Sequence, residues 1–210
     1  VRRLELYRAS ALPNLRAHLL AGLDEPVTIL ALLPPPRLAP HSSLSHMTAM
    51  TIDAWGSPQC AWFADPERGL DFEALGEALQ RSERQRRPVC VVGTAFAFVH
   101  WLDAVTAGSA PRVGLPEGSR LMETGGFKGR SREVPRAELY GGLCAAFGVS
   151  LQHIVNEYGM TEMLSQFWEP VLHHPHTVPL ERRVHRPPPW VRTRVLDPET
   201  LHPVSLGAPG

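Results

Sequence analysis

Residues 153–162 read His153-Ile154-Val155-Asn156-Glu157-Tyr158-Gly159-Met160-Thr161-Glu162. The first four predict a short strand, His153–Asn156, which delivers a polar, glycine-containing loop, Asn156–Glu162. Working upstream, Pro135–Phe147 predicts a helix, with Pro135 suited to the first helical position and Gly148 to the stop. Before it, Ser119–Glu123 leads into the pair Gly125-Gly126. Pro88–Gly93 is a continuous apolar run of strand length, and a helix through Val99–Val105 follows it. Asp71–Ser82 is amphipathic, with Asp71 as N-cap. Val27–Leu33 is a second unbroken apolar run, as expected of a strand covered on both faces. Cys60–Phe63 is a short strand candidate, and residues 41–52 suit a short helix.

Leu4, Tyr7, Ala11, Leu15, Leu19 and Leu23 recur at helical spacing, so residues 3–23 predict a helix that Pro13 should kink or split near Ala9–Leu12. Downstream, Trp190–Leu196 alternates like a half-exposed strand, with a turn at Asp197–Thr200. Strand, helix, strand, helix, strand is the order of an α/β fold, mostly parallel sheets with helices packed on them. No fixed-period repeat is visible. Residues of about 1–168 form the expected α/β core, and about 169–210 a Pro-rich, more β part. Neither end resembles a domain boundary, and the expectation is part of a larger domain.

The 210 residues carry 43% hydrophobic side chains and 21 basic against 21 acidic groups. That balance gives no ground for nucleic acid or an anionic membrane as partner, since both favour excess Lys and Arg. No apolar run approaches the roughly 20 residues that span a bilayer, and no leader pattern is seen. Cys60, Cys90 and Cys144 are too scattered for a disulfide framework; core positions and a cytoplasmic setting are expected. The 21 prolines are twice the usual share of about 5%, and Pro34–Pro36 and Pro187–Pro189 read as stiff connectors.

The loop carries chemistry before any name is attached. It follows a strand, where open α/β sheets place ligand-binding residues. Tyr158 offers a flat face for stacking, and Gly159 lets backbone approach a ligand closely. Thr161 supplies a hydroxyl for a phosphate oxygen. Glu162 supplies a hard oxygen ligand of the kind Mg²⁺ takes when it shares its shell with phosphates. Taken alone, Thr161 and Glu162 equally suit a helix start, and Gly125-Gly126 a strand-ending turn. Asn156, Tyr158 and Gly159 in register favour the nucleotide reading.

Asn-x-Tyr-Gly-x-Thr-Glu resembles a core motif of the adenylate-forming enzymes. Leu121–Val134, Val155–Glu162 and Ser165-Gln166-Phe167 are similar to the acyl-protein synthetase family, which includes the fatty-acid ligase of bacterial luminescence. Val92–Phe98 resembles that family's segment beside the acyl pocket. The resemblance implies part of the large N-terminal domain of an adenylate-forming enzyme. It also implies ATP with Mg²⁺, a carboxylic, chiefly fatty, acid substrate and a thiol acceptor (protein cysteine or coenzyme A). An acyl-reductase is the implied partner protein.

By the same resemblance, Gly125, Gly126 and Phe127 lie along the adenine, Asn156 contacts the base edge, and Tyr158 stacks on it, with Glu157, Gly159 and Met160 in the same loop. Thr161 and Glu162 are the catalytic pair, Thr161 at the α-phosphate and Glu162 holding Mg²⁺. His41 and Phe96 fall near the substrate. A Ser/Thr/Gly-rich phosphate loop is expected upstream, and a ribose-binding Asp, a lid domain with a catalytic Lys and an acyl-accepting Cys beyond Gly210. This chain alone is then expected to be inactive. A phenylacetate-type acyl- or aryl-CoA ligase, and a non-catalytic nucleotide-binding or interaction module, remain open alternatives. Lys128, Arg130 and Arg132 suit a solvated loop, and the spacing of His173, His174 and His176 does not fit zinc.

Overall fold

The computed structural model describes residues 4–125, 132–205 and 207–208. In chain order the elements are α1 (Leu4–His18), β1 (Thr28–Leu32), α2 (Ser43–Trp55), β2 (Ala61–Trp62), the small hairpin β3 (Ala64–Asp65) and β4 (Gly69–Leu70), and α3 (Phe72–Gln85). Then come β5 (Val89–Thr94), α4 (Ala95–Thr106), β6 (Arg120–Thr124), α5 (Arg136–Phe147), β7 (Ile154–Gly159) and β8 (Gln166–Trp168). Six strands form one sheet in the order β2-β1-β5-β6-β7-β8. All pairs are parallel except β7 with β8. The expected α/β fold with a mostly parallel sheet is what forms.

Strand alternation sends successive side chains to opposite faces, and both faces are covered, which is why β1 and β5 carry almost no polar residue. Ile29, Ala31, Cys90, Val92, Met122 and Val155 pack against α1 and α2. Leu30, Leu32, Val89, Val91, Leu121 and Ile154 pack against α3, α4 and α5. On that second face Trp101 stacks on Phe147 at 6.0 Å and Phe98 meets the same ring edge-on at 6.3 Å. Each fully buried side chain of this size stabilises the fold by about 1.5–3 kcal/mol.

The helix signals at Asp71 and Gly148 act as the sequence suggests, and Ser42 and Thr94 add two further N-caps. Asp71 accepts from the Ala74 N–H at 3.0 Å, Ser42 from Ser45 at 3.1 Å and Thr94 from Ala97 at 3.4 Å. Gly148 ends α5 at φ 66°, the left-handed conformation that suits glycine. Pro135 sits one position earlier than expected, at the N-cap.

Three expectations differ. Pro13 does not split α1, which runs unbroken to His18 and stops short of residue 23; Leu19 and Leu20 still bury beyond its end. The motif strand continues through Gly159, because β8 returns antiparallel and pairs Tyr158 with Phe167 and Gly159 with Gln166. Residues 190–196 form no strand. Trp190 is 52% and Val195 54% exposed, so the alternation has no apolar face to bury, and only a Leu196–Pro203 bridge remains. The turn after it is present, with Asp197 accepting from Glu199 and Thr200.

Among the described residues no helix is long and apolar enough to cross a membrane. Cys90 is in the core, whereas Cys60 and Cys144 are only half-buried; burial pushes the Cys90 thiol up to about 12.

Candidate functional site

The carboxyl ends of β1, β5, β6 and β7 lie along one edge of the sheet. The chain leaves β1 through α2 on one face and β5 through α4 on the other. Adjacent strands whose connections diverge in this way open a crevice at their carboxyl ends. Around that edge stand the His41 loop after β1, Phe96 in the first turn of α4, Gly125 after β6, and Tyr158–Glu162 at the end of β7. The sheet thus gathers the predicted segments from four separate stretches of sequence. Gly126, Phe127 and the Thr161 side chain lie outside the described residues.

Alternation along β7 divides the motif. Ile154, Asn156 and Tyr158 share the α5 side, and Val155, Glu157 and Gly159 the α1 side. Tyr158 is 48% exposed, its ring held between Phe167 at 6.2 Å and His185 at 6.0 Å. Met160 and Glu162 are also exposed, Glu162 in the single-turn helix Thr161–Met163. A half-exposed aromatic and a nearby exposed carboxylate are chemically suited to a base and a hard cation.

Asn156 is buried, and its amide is engaged at both ends. Nδ2 donates to the Glu123 carboxylate and at 3.2 Å to the Glu123 carbonyl, while Oδ1 accepts from His185 Nε2 at 2.5 Å. Asn156 therefore braces the ends of β6 and β7 from beneath Tyr158.

Behind it is a buried polar network that the sequence did not reveal. Tyr140 donates to Glu123 at 2.6 Å, and Arg136 donates to Tyr140 at 3.0 Å. Arg136 grips both oxygens of Glu169, at 2.6 and 2.7 Å. Arg183 reaches Glu169 at 3.4 Å and the carbonyls of Ile154, Leu151 and Val178 at 2.8, 2.7 and 3.1 Å. Burial raises the Glu123 pKa against the pull of Tyr140 and Asn156. Burial lowers that of His185, with Glu169 opposing the effect and Arg136 adding to it, which favours the neutral imidazole. The one local signal was the four-residue spacing of Arg136 and Tyr140 on α5, which places both on one helix face. Nothing in the Pro-rich segment around His185 announces its role.

On the opposite side, Glu157 is 5% exposed. Burial, and secondarily the charge of Glu123, push its pKa up to about 8. Tyr7 of α1 faces this carboxyl and donates to the Ser43 carbonyl at 3.2 Å, tying the start of α2 to α1 beneath the motif.

His41 is exposed, and Phe96 is half-buried with its ring 6.2 Å from His100. Arg132 pairs with Asp103 and Glu138 at 3.1 and 3.3 Å. Among the described residues no group of three or more His, Cys, Asp or Glu could hold a metal ion, and His173 instead meets the His18 ring edge-on at 5.3 Å.

A family model described as acyl-protein synthetase, LuxE, matches residues 15–210. The chain is 27% identical over 143 residues to a long-chain-fatty-acid–luciferin-component ligase of Aliivibrio fischeri, a span covering 67% of this chain and 35% of that protein. It is 25% identical over 150 residues to the ligase of the same name from Vibrio harveyi, covering 70% and 37%. The chain thus spans a little over a third of the length of these curated relatives.

Proposed function

We propose, from the premise that this chain belongs to the LuxE acyl-protein synthetase family, that it carries the adenine and metal side of an ATP-dependent ligase. That ligase activates a fatty or other carboxylic acid and hands the acyl group to a thiol. The relatives' names, which specify ligation of long-chain fatty acids, support the substrate class. The observation that carries the reading is the shared edge: Phe96, Gly125 and Tyr158–Glu162 stand at the carboxyl ends of three neighbouring parallel strands, β5, β6 and β7.

The reaction has two halves. A carboxylate oxygen attacks the α-phosphorus of ATP in line, and the bond to pyrophosphate breaks to give acyl-AMP. A thiolate then adds to the acyl carbonyl, a thioester forms, and AMP leaves with the electrons of its bond to carbon. Tyr158 offers its open face to the adenine, with Gly125–Phe127 alongside. Asn156 holds the strand end from which Tyr158 projects. Thr161 would donate to a phosphate oxygen, and Glu162 would hold Mg²⁺, which would supply charge neutralisation at the phosphoryl oxygens. His41 and Phe96 flank the entry of the acid. Loss of one preorganised donor at such a centre typically costs about 2.7–4 kcal/mol of transition-state stabilisation.

Pyrophosphate–ATP exchange by the full-length protein, run with a panel of carboxylic acids and Mg²⁺, tests the reading. Acid-dependent exchange is expected, strongest with fatty acids; no exchange with any acid would leave a binding module as the better account. A thioester trapped on protein rather than acyl-CoA released to solution identifies the acceptor.

A further inference from the structure

His185 lies 29 residues beyond Asn156, outside the motif and outside every strand, yet it touches both motif side chains on the α5 side of β7. Its Nε2 donates to Asn156 Oδ1 at 2.5 Å, and its ring lies 6.0 Å from the Tyr158 ring at an interplanar angle of 56°. We propose that His185 is a positioning residue of the nucleotide site, fixing the Asn156 amide and buttressing the Tyr158 ring; this inference rests on the nucleotide reading above.

The hydrogen bonds leave one consistent assignment. Asn156 Nδ2 is committed to two oxygens of Glu123, so Oδ1 is the acceptor and His185 Nε2 must carry the proton. That fixes both the amide and the imidazole tautomer. An exposed tyrosine that stacks on a ligand loses rotamer freedom as it does so. With His185 on one side and Phe167 at 6.2 Å on another, much of that ordering is already in place before binding.

His185 can act this way because its own backbone is anchored on both sides. Arg183, buried to 9% exposure, bonds three backbone carbonyls and Glu169. Arg186 exchanges backbone hydrogen bonds with Trp168 at 2.9 and 3.2 Å. The irregular segment thus places one imidazole against the strand as firmly as a paired strand would.

Three substitutions separate the components. His185→Gln keeps an N–H donor for Asn156, His185→Phe keeps a ring against Tyr158, and His185→Ala keeps neither. In the full-length protein, His185→Ala is expected to raise the KM for ATP by about tenfold, the equivalent of one charge-neutral hydrogen bond. The KM for the acid and kcat should stay within about twofold. His185→Gln and His185→Phe should each restore part of the ATP affinity. An unchanged ATP KM in His185→Ala would overturn the inference. So would loss of both KM values and kcat together, in step with thermal stability, with rescue by neither conservative variant. A wild-type protein without ATP-dependent exchange removes the nucleotide reading and this inference with it, whereas active wild type with an unaffected His185→Ala removes this inference alone.

Discussion

The Glu157 carboxylate occupies the space that a Cβ at Gly159 would need, with Oε1 the first atom such a carbon would meet. Gly159 does not lie in the left-handed region, so an added methyl would meet not backbone strain but its neighbour two positions back on the same strand face. That oxygen is the far end of a flexible side chain that can swing aside, so Gly159→Ala should cost no more than about 1 kcal/mol, the low end of overpacking. Glu157→Ala in the same chain should return part of that loss. Denaturant unfolding of the two single variants and the double variant measures it, with an expected coupling of at least about 0.5 kcal/mol. Strict additivity would show that the glycine is needed for something other than room.

The same carboxyl makes stability depend on pH. Its folded pKa, about 8, is raised above the ordinary value of 4.5, so the folded chain binds more protons than the unfolded one between those values. The contribution is fully present below pH 4.5 and is lost as pH rises through 8. At its steepest this amounts to about 1.4 kcal/mol per pH unit for one proton. Glu157→Gln, which stays neutral, should flatten the decline. Urea midpoints at pH 5, 6.5 and 8 for both proteins test it; parallel curves would remove Glu157 as the source.

Much of the fold was legible because local and global signals agreed. The apolar runs Val27–Leu33 and Pro88–Gly93 had the length and composition expected of strands covered on both faces, and Asp71 and Gly148 punctuated their helices as capping chemistry requires. The motif was legible as a unit, but its division between two faces of the sheet was not. That division depends on β7 extending to Gly159, and the extension depends on pairing with β8, which is only three residues long and has no periodicity to announce it. Long-range polar partners such as Glu123 with Tyr140, or Asn156 with His185, leave no mark on local pattern at all. Trp190–Leu196 shows the converse: an alternating pattern without a surface to cover stays irregular.

Arg120 gives a test at the other end of the sheet. It is buried, with no carboxylate paired to it among the described residues, and its guanidinium donates to the carbonyls of Leu19 and Ala21 just past α1. The Leu19 carbonyl lies at the helix end, where partial negative charge gathers, and the cation satisfies it together with the Ala21 carbonyl in the turn beyond. Arg120→Met should leave two carbonyls without partners and cost about 2–6 kcal/mol, at roughly 1–3 kcal/mol for each unsatisfied buried group. Hydrogen exchange should show the loss first at residues 15–20. Protection unchanged there, with global stability intact, would mean that solvent replaces the arginine.

The network behind Asn156 makes a sharper prediction, because its two carboxyls are not equivalent. Glu169, 1% exposed, holds Arg136 through both oxygens and Arg183 through one, so removing its charge strands the buried Arg183 guanidinium and takes the counter-charge from the partly exposed Arg136. Glu169→Gln should cost about 3–5 kcal/mol, the usual penalty for breaking a buried pair. Glu123 is driven toward its neutral form by burial and acts through one oxygen that accepts from both Tyr140 and Asn156. A glutamine carbonyl can accept the same two bonds, so Glu123→Gln should change stability by less than about 1 kcal/mol. Thermal and urea unfolding of the two variants side by side decides it. Equal losses would mean that Glu123 is ionised and shares the charge of the network, and that the strut beneath Tyr158 is electrostatic rather than a chain of neutral hydrogen bonds.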